Sequence, residues 1–283
     1  MITTAFKAHL QSLFNFQLQL VQPLSGGDIN QVYLITTDSG KLVVKVNNAS
    51  KFPKMFEKEA QGLALLQKTN TFKIPEVIGY GTFNEQSYLL LEYITLGSKD
   101  QNFWKLFGKQ LVTLHKHTSA TFGLEADNYI GSLLQYNKKH INSAEFYVRQ
   151  RLQPQLELAA QNGYIFSNTD KLYNNIEAIL PDEPPALIHG DLWSGNFMVN
   201  ENALPVLIDP AVSYAPREMD LALMLLFGGF DPMVFEEYDN LYPLESGWRD
   251  RTDIFQLYYI LVHLNLFGTS YYGQAKEIIS KYN

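Results

Sequence analysis

The sequence predicts an α+β chain of two lobes, a sheet-rich N-terminal lobe over residues 1–94 and a larger helical lobe over residues 95–283. Three observations predict it. Strand-like runs crowd the first ninety or so residues, helical periodicity dominates the remainder, and the polar break "TLGSKD" separates the two textures near residues 92–97. No internal repeat or low-complexity segment interrupts this division, and a cleft between two lobes is a common seat for a ligand.

Taken in order, residues 5–16 form a helix with Phe6, Leu10, Leu13 and Phe14 on one side. "QVYLITT" and "KLVVKVN" are strands joined by "DSG", a hairpin turn. Phe56, Ala60, Leu63 and Leu66 recur at helical spacing over residues 54–68. "VIGYGTF" and "SYLLLEYI" supply two further strands. Beyond the polar break, helical patterns cover residues 101–118, 143–162, 169–180, 217–227 and 250–267, interrupted by two short strands, "NFMVN" and "PVLID".

The bulk composition narrows the function classes. With 46% hydrophobic and 18% charged residues the chain is an ordinary globular protein, with ample material for a core. A net charge of −7 gives no support to a nucleic-acid surface, though it allows a local basic pocket for a small anion. No cysteine is present, which removes disulfides, thiolate zinc sites and cysteine nucleophiles and fits a reducing cytoplasm. The N-terminus lacks a secretory pattern, and the apolar runs "LALMLLFGGF" and "LYYILVHLNLFG" are too short to span a bilayer. A soluble, intracellular, cytoplasmic protein is expected, a monomer with no nucleic-acid or membrane partner.

The chemistry concentrates in an ordered series. Gly26 and Gly27, in "LSGGDINQVYLIT", form a turn before a strand where backbone amides could approach a phosphate; a plain hairpin turn would also account for them. Lys45 lies within the strand "LVVKVN", and Glu59 follows on the next helix. A strand lysine held by a helix glutamate orients a cation toward nucleotide phosphates in kinases of the protein-kinase type, whereas a solvent-facing lysine and a surface i,i+4 pair are the bland alternatives. In "HGDLWSGN", Asp191 and Asn196 stand five residues apart, the separation of His-Arg-Asp-x-x-x-x-Asn. A carboxylate beside an attacking hydroxyl accepts its proton, and an amide oxygen nearby suits a divalent ion. Asp209 in "PVLIDPA" returns to the same end as a second metal carboxylate; each of these residues taken singly could be a turn former. His189 reads as a brace for that loop. Asp220, in "PREMDLALMLLFGG", is either a first-turn acid or a buried support for the backbone near residues 189–196.

These residues resemble the aminoglycoside phosphotransferase/choline kinase branch of the protein-kinase-like fold, and within it the chain is similar to the fructosamine kinase (ketosamine-3-kinase) family. The resemblance rests on "GGDINQVYLI", "KVN", "MFEKEAQGLALL", "LLLEYI", "LHKHTSATFGLEADNYIGSLLQYN", "FYVRQRLQPQLELA", "LIHGDLWSGN", "PVLIDPAVSY", "REMDLALMLLFGGF" and "LYYILVHLNLFG", in the family's order over nearly the whole chain. It implies ATP- and Mg²⁺-dependent phosphorylation of the 3-hydroxyl of a ketosamine, free or protein-bound, and hence a role in deglycation. By position it makes Asp191 the catalytic base, gives Asn196 and Asp209 to Mg²⁺, and pairs Lys45 with Glu59. Gly26, Gly27, Asp28, Ile29 and Asn30 then cover the nucleotide, and backbone groups of Glu92, Tyr93 and Ile94 bind adenine. Trp193 is a platform for the sugar adduct or a packing residue, Arg217 and Asn128 fall to the substrate, and His189 and Asp220 give structural support.

The chain departs from the family at Asp28, where a cysteine is frequent, at Ala215-Pro216, and in "NSAEF", which lacks a tryptophan. Those changes bear on substrate preference. The rivals are an aminoglycoside or choline-type kinase of the same fold and a nucleotide-binding scaffold. A hydrolase built on His189, Asp191 and Asp209 would lack further histidines and leave Lys45 and Glu59 unexplained.

Overall fold

The computed structural model describes residues 2–24 and 29–283. Helix α1 (Thr4–Phe14) is capped by the Thr3 hydroxyl, which accepts from Phe6 N–H, and ends at Asn15 in the left-handed conformation. Phe6 and Leu10 are buried, but Leu13 is 55% exposed, contrary to the sequence expectation, because the turn that carries it is not covered.

Five antiparallel strands follow: β1 (Leu18–Leu24), β2 (Gln31–Thr37), β3 (Gly40–Asn48), β4 (Val77–Phe83) and β5 (Gln86–Glu92), in the order β1-β2-β3-β5-β4. Helix α2 (Met55–Lys68) crosses between β3 and β4 in the chain. Period-two alternation gives the sheet two apolar faces. Tyr88 and Leu90 of β5 join Val44 and Val46 of β3 in the core under α1, whereas Leu89 and Leu91 pack with Phe56, Ala60, Leu63 and Leu66 of α2. Lys45, between Val44 and Val46, therefore stands on the α2 face. Strand β1 has no counterpart in the sequence pattern. It is an edge strand, mostly exposed, and its glutamines and proline blur the alternation.

The helical region begins with α3 (Phe103–His115) and the hairpin of β6 (Asn128–Ile130) and β7 (Leu133–Gln135). A continuous helical rod follows, α4 (Ser143–Phe146), a π-helical turn over Tyr147–Leu152, and α5 (Gln153–Gln161), then α6 (Thr169–Ile179). The strands β8 (Ala186–Ile188), β9 (Phe197–Val199), β10 (Pro205–Leu207) and β11 (Ser213–Ala215) form two small ladders, β8 with β11 and β9 with β10. Helices α7 (Glu218–Phe227), α8 (Pro232–Leu241), α9 (Thr252–Phe267) and α10 (Tyr272–Lys281) complete it. Helix α9 is apolar around most of its circumference, which makes it the axis of the second core. The segment after β5 is stitched to the β9–β10 hairpin by Gly97 N–H to Val199 O (2.9 Å) and Glu201 N–H to Thr95 O (3.0 Å). Among the described residues no helix is long and apolar enough to cross a membrane.

Candidate active site

The two small ladders set the geometry. Pairing of β8 with β11 and of β9 with β10 forces the loop after β8, which carries Asp191, and the loop after β10, which carries Asp209, side by side. Ala211 N–H donates to His189 O (2.9 Å) and Ile208 N–H to Asn196 O (3.0 Å), sealing the two loops together. Gly190 (φ +81°) lies so near Ala211 that an added Cβ would fall 2.1 Å from its carbonyl oxygen. Asp209 itself is left-handed (φ 55°), a conformation rarely held by a non-glycine residue and concentrated at functional loops.

Below the loops sits Asp220, fully buried on α7. Its Oδ1 accepts from Gly190 N–H (2.9 Å) and its Oδ2 from His189 N–H (2.8 Å). His115, at the end of α3, reaches the same Oδ2 through Nε2 (3.2 Å) and Tyr238 OH through Nδ1 (2.8 Å). His189 places Nδ1 toward Asp191 N–H (3.3 Å) and Nε2 toward Ile208 O (3.0 Å), so both ring nitrogens are used within the loops. Burial holds its imidazole below the ordinary histidine range.

Asn196, at the end of a 3₁₀ turn, donates Nδ2–H to Asp191 O (2.8 Å) and to Asp191 Oδ2 (2.9 Å). That fixes the amide with its oxygen available to an ion. The Asp191 carboxyl is pushed up to about 7 by burial and by the Asp209 carboxylate, against the pull of the Asn196 hydrogen bond. A carboxylate poised near neutrality is suited to exchange a proton with a bound hydroxyl.

Lys45 closes the cluster from the sheet. Its Nζ donates to Glu59 Oε1 (2.7 Å) and also pairs with Asp209 Oδ1. Burial pulls the ammonium down, but Asp209 and Glu59 outweigh it and hold the group above its ordinary pKa. Glu59 is raised by its own burial against the pull of Lys45. Two carboxylates therefore hold one ammonium, and the Asp191 carboxyl lies in the same cavity, a surplus of oxygen donors that suits a divalent cation. Among the described residues no three His, Cys, Asp or Glu side chains form a metal cluster. The donors available, Asp191, Asp209 and the Asn196 amide oxygen, are hard oxygens too few to enclose an ion, which suits Mg²⁺ completed by phosphate oxygens and water.

All five side chains line one cavity of about 470 Å³, within the range of small-molecule sites. Ile29 and Asn30 line it as well, with Asn30 Oδ1 accepting from Asn47 Nδ2 (3.1 Å). Gly26, Gly27 and Asp28 lie outside the described residues. Trp193 lines the cavity and is 41% exposed, its indole lying over the position a Gly195 side chain would take.

Three sequence expectations fare differently. The lining of this cavity does not include Glu92, Tyr93 or Ile94; Glu92 N–H donates to Glu76 O (2.9 Å), and its carboxylate accepts from Lys73 Nζ (2.6 Å). Arg217 is not brought to the cavity either. It is buried, bonded through Nε to Glu183 Oε2 (2.9 Å) and through its terminal nitrogens to the carbonyls of Tyr242 and Pro243 (2.7 Å each), because its place at the start of α7 points it to the loop after α8. Asn128 does line the cavity, but its side chain is spent within the protein: Nδ2 donates to Val212 O (2.9 Å), and Oδ1 accepts from Gln135 (2.9 Å) and Asn137 (2.8 Å).

That amide network extends beyond anything read from the sequence. Gln135 Nε2 donates to Ala211 O (3.0 Å), Tyr258 OH to Gln135 Oε1 (2.8 Å), and the fully buried Arg151 to Asn137 Oδ1 (2.9 Å) and Ser213 Oγ (3.0 Å). Among the described residues no carboxylate bonds Arg151; the Phe146 ring, 4.6 Å away, covers it instead. His115 and Arg151 belong to no short motif: Asp220 lies 105 residues from His115, and Asn137 and Ser213 lie 14 and 62 residues from Arg151.

A sequence profile described as "Fructosamine kinase" matches residues 2–283. A relative from Enterococcus faecium, named "Probable ketoamine kinase", is 39% identical over 269 residues, covering 93% of this chain and 95% of its own. The Arabidopsis thaliana "Protein-ribulosamine 3-kinase, chloroplastic" is 36% identical, covering 94% of this chain and 83% of the relative. Among solved structures, a candidate fructosamine-3-kinase from Haemophilus somnus superposes with a TM-score of 0.89 at 29% identity, covering 98% and 96% of the two chains. An aminoglycoside phosphotransferase superposes with a TM-score of 0.65 at 15% identity, covering 99% of each chain, a likeness of fold alone.

Proposed function

Since this chain belongs to the fructosamine kinase family, we propose that it transfers the terminal phosphoryl group of ATP, with Mg²⁺, to the 3-hydroxyl of a ketosamine. The observation that carries the reading is convergence: Lys45 with Glu59, Asp209, and Asp191 with Asn196 come from three separate parts of the chain to one cavity. The cleft is read as lying between lobes of residues 1–94 and 95–283. The name of the Arabidopsis relative supports position 3 of a ribulosamine as the acceptor.

In this reading Lys45, oriented by Glu59, holds the nucleotide's phosphates. Asp191 orients the acceptor hydroxyl and takes its proton as the oxygen bonds to phosphorus and the bond to ADP breaks. Asp209 and the Asn196 oxygen hold Mg²⁺, which neutralises phosphate charge when bound. Asp220 and His189 keep the loop in shape, and Trp193 offers an aromatic face to the sugar. Phosphorylation at position 3 makes the adduct labile, which gives the reaction a role in removing glycation from free amines or proteins.

The test is ATP consumption with Mg²⁺ in parallel on ribulose-lysine, fructose-lysine, choline and kanamycin. Turnover confined to the ketosamines is expected. Turnover on choline or kanamycin alone would keep the catalytic residues and overturn the acceptor, and silence on all four with ATP bound would favour a scaffold.

A further inference from the structure

The β6–β7 hairpin belongs to the helical region by its root and touches the sheet region at its tip. Its root is clamped by the buried amide network to residues 211–213, the chain that leaves Asp209. Midway along β6, Tyr129 OH donates to Pro53 O (3.0 Å). Gly131 (φ +57°) turns the hairpin so close to its neighbours that a Cβ there would lie 3.4 Å from Ile29 Cδ1 and 2.9 Å from Leu266 Cδ1. Pro53 stands just before α2, whose N-cap residue Lys54 has no side-chain cap. Six residues beyond Pro53, the same helix presents Glu59 to Lys45. Farther along, Gly62 lies against Val212 and Pro210. Helix α2 is thus held to the Asp209 loop at two points, Gly62 directly and Pro53 through Tyr129.

We infer that Tyr129 is a positioning residue for the Lys45–Glu59 pair: its hydrogen bond to Pro53 O seats the start of α2, and through α2 sets the ammonium that meets the nucleotide's phosphates. The inference rests on the nucleotide-binding part of the proposed function and not on the identity of the acceptor. It also gives the hairpin a second meaning. The cavity wall at Asn128, Tyr129 and Gly131 lies on the arm that holds α2, so a ligand pressing on that wall acts on phosphate alignment.

The experiment measures binding of the full-length protein to AMP-PNP, ADP and adenosine in MgCl₂ by calorimetry, for the unaltered chain, Tyr129→Phe, Glu59→Gln and the double variant. Tyr129→Phe removes one hydroxyl and keeps the ring. Loss of one neutral hydrogen bond predicts about 3- to 10-fold weaker binding of AMP-PNP and ADP, with adenosine unchanged. In the Glu59→Gln background the same change adds no further loss, because both act through one group. Tyr80→Phe, on the exposed edge of β4, serves as the control and leaves all three unchanged. Equal weakening of adenosine, or an undiminished effect in the Glu59→Gln background, would overturn the positioning role. So would AMP-PNP affinity untouched by Tyr129→Phe. Failure of the unaltered chain to bind AMP-PNP would instead overturn the nucleotide reading, and this inference with it.

Discussion

Replacing Asp191 with asparagine should stabilise the metal-free protein while removing its turnover. The carboxyl is moved from its ordinary value of 3.8 to about 7, chiefly by burial and by Asp209. Each tenfold change in proton affinity corresponds to about 1.4 kcal/mol, so the full displacement is on the order of 4 kcal/mol. Partial solvent access reduces that to an expected gain of about 1–3 kcal/mol. The sign follows from proton counting. Between pH 3.8 and about 7 the folded state holds a proton on Asp191 that the unfolded chain has lost, so the native protein loses stability as pH rises through that window. Above it the penalty is complete. The substituted amide never ionises, and its carbonyl still accepts from Asn196. Urea unfolding in EDTA at several pH values reads the difference: near zero at about pH 4, growing to a plateau above about pH 7. A gain independent of pH would refute the reasoning, as would a variant less stable than the original at pH 8. In the presence of Mg²⁺ and nucleotide the original chain should recover its deficit. The variant's kcat should fall by about 10²–10⁴-fold, the usual worth of a general base, and undiminished turnover would remove Asp191 from that role.

Two further substitutions test the neighbouring groups. Lys45→Met strands Glu59 and Asp209 without their cation and should cost about 3 kcal/mol in urea unfolding, whereas Lys45→Met with Glu59→Leu should recover most of that stability and none of the turnover; a single variant as stable as the original would contradict the buried pairing. Arg217→Ala should lower the Tm through loss of Glu183 and the Tyr242 and Pro243 carbonyls while leaving the acceptor KM unchanged. A tenfold rise in that KM would return Arg217 to the cleft.

What the sequence makes legible follows from how far apart partners lie. Lys45, Glu59, Asp191, Asn196 and Asp209 stand in short motifs whose residue types and order carry their meaning, and the structure gathers all five. The central strands carry clean alternation, and α9 is legible from its length and apolar content, since it is apolar around most of its circumference. Strand β1 does not alternate, because an edge strand has little to bury. Helices α8 and α10 do carry helical spacing, in Val234, Phe235 and Tyr238 and in Ala275, Ile278 and Ile279, but over only ten residues each, too short a run to stand out from the loops around them. Arg217 and Asn128 show the other limit. Each is polar beside a recognisable motif, yet one is turned by its helix into a loop anchor and the other is consumed by three hydrogen bonds. His115 and Arg151 depend wholly on tertiary contacts and leave no local trace.

The π-helical turn over Tyr147–Leu152 constrains how this chain can change in length. Such a turn holds one residue more than an α-helix needs, so removing one residue would make the rod regular and, by helical propensity, favourable. The turns on either side would keep their faces, because the wide turn absorbs the extra residue without passing a rotation on. Arg151 lies inside that turn, so regularising it would disturb the stretch that aims the guanidinium at Asn137 and at Ser213, in the chain leading from Asp209. A single-residue deletion within the rod thus gains local regularity and gives up the Arg151 bonds that hold the site's loop.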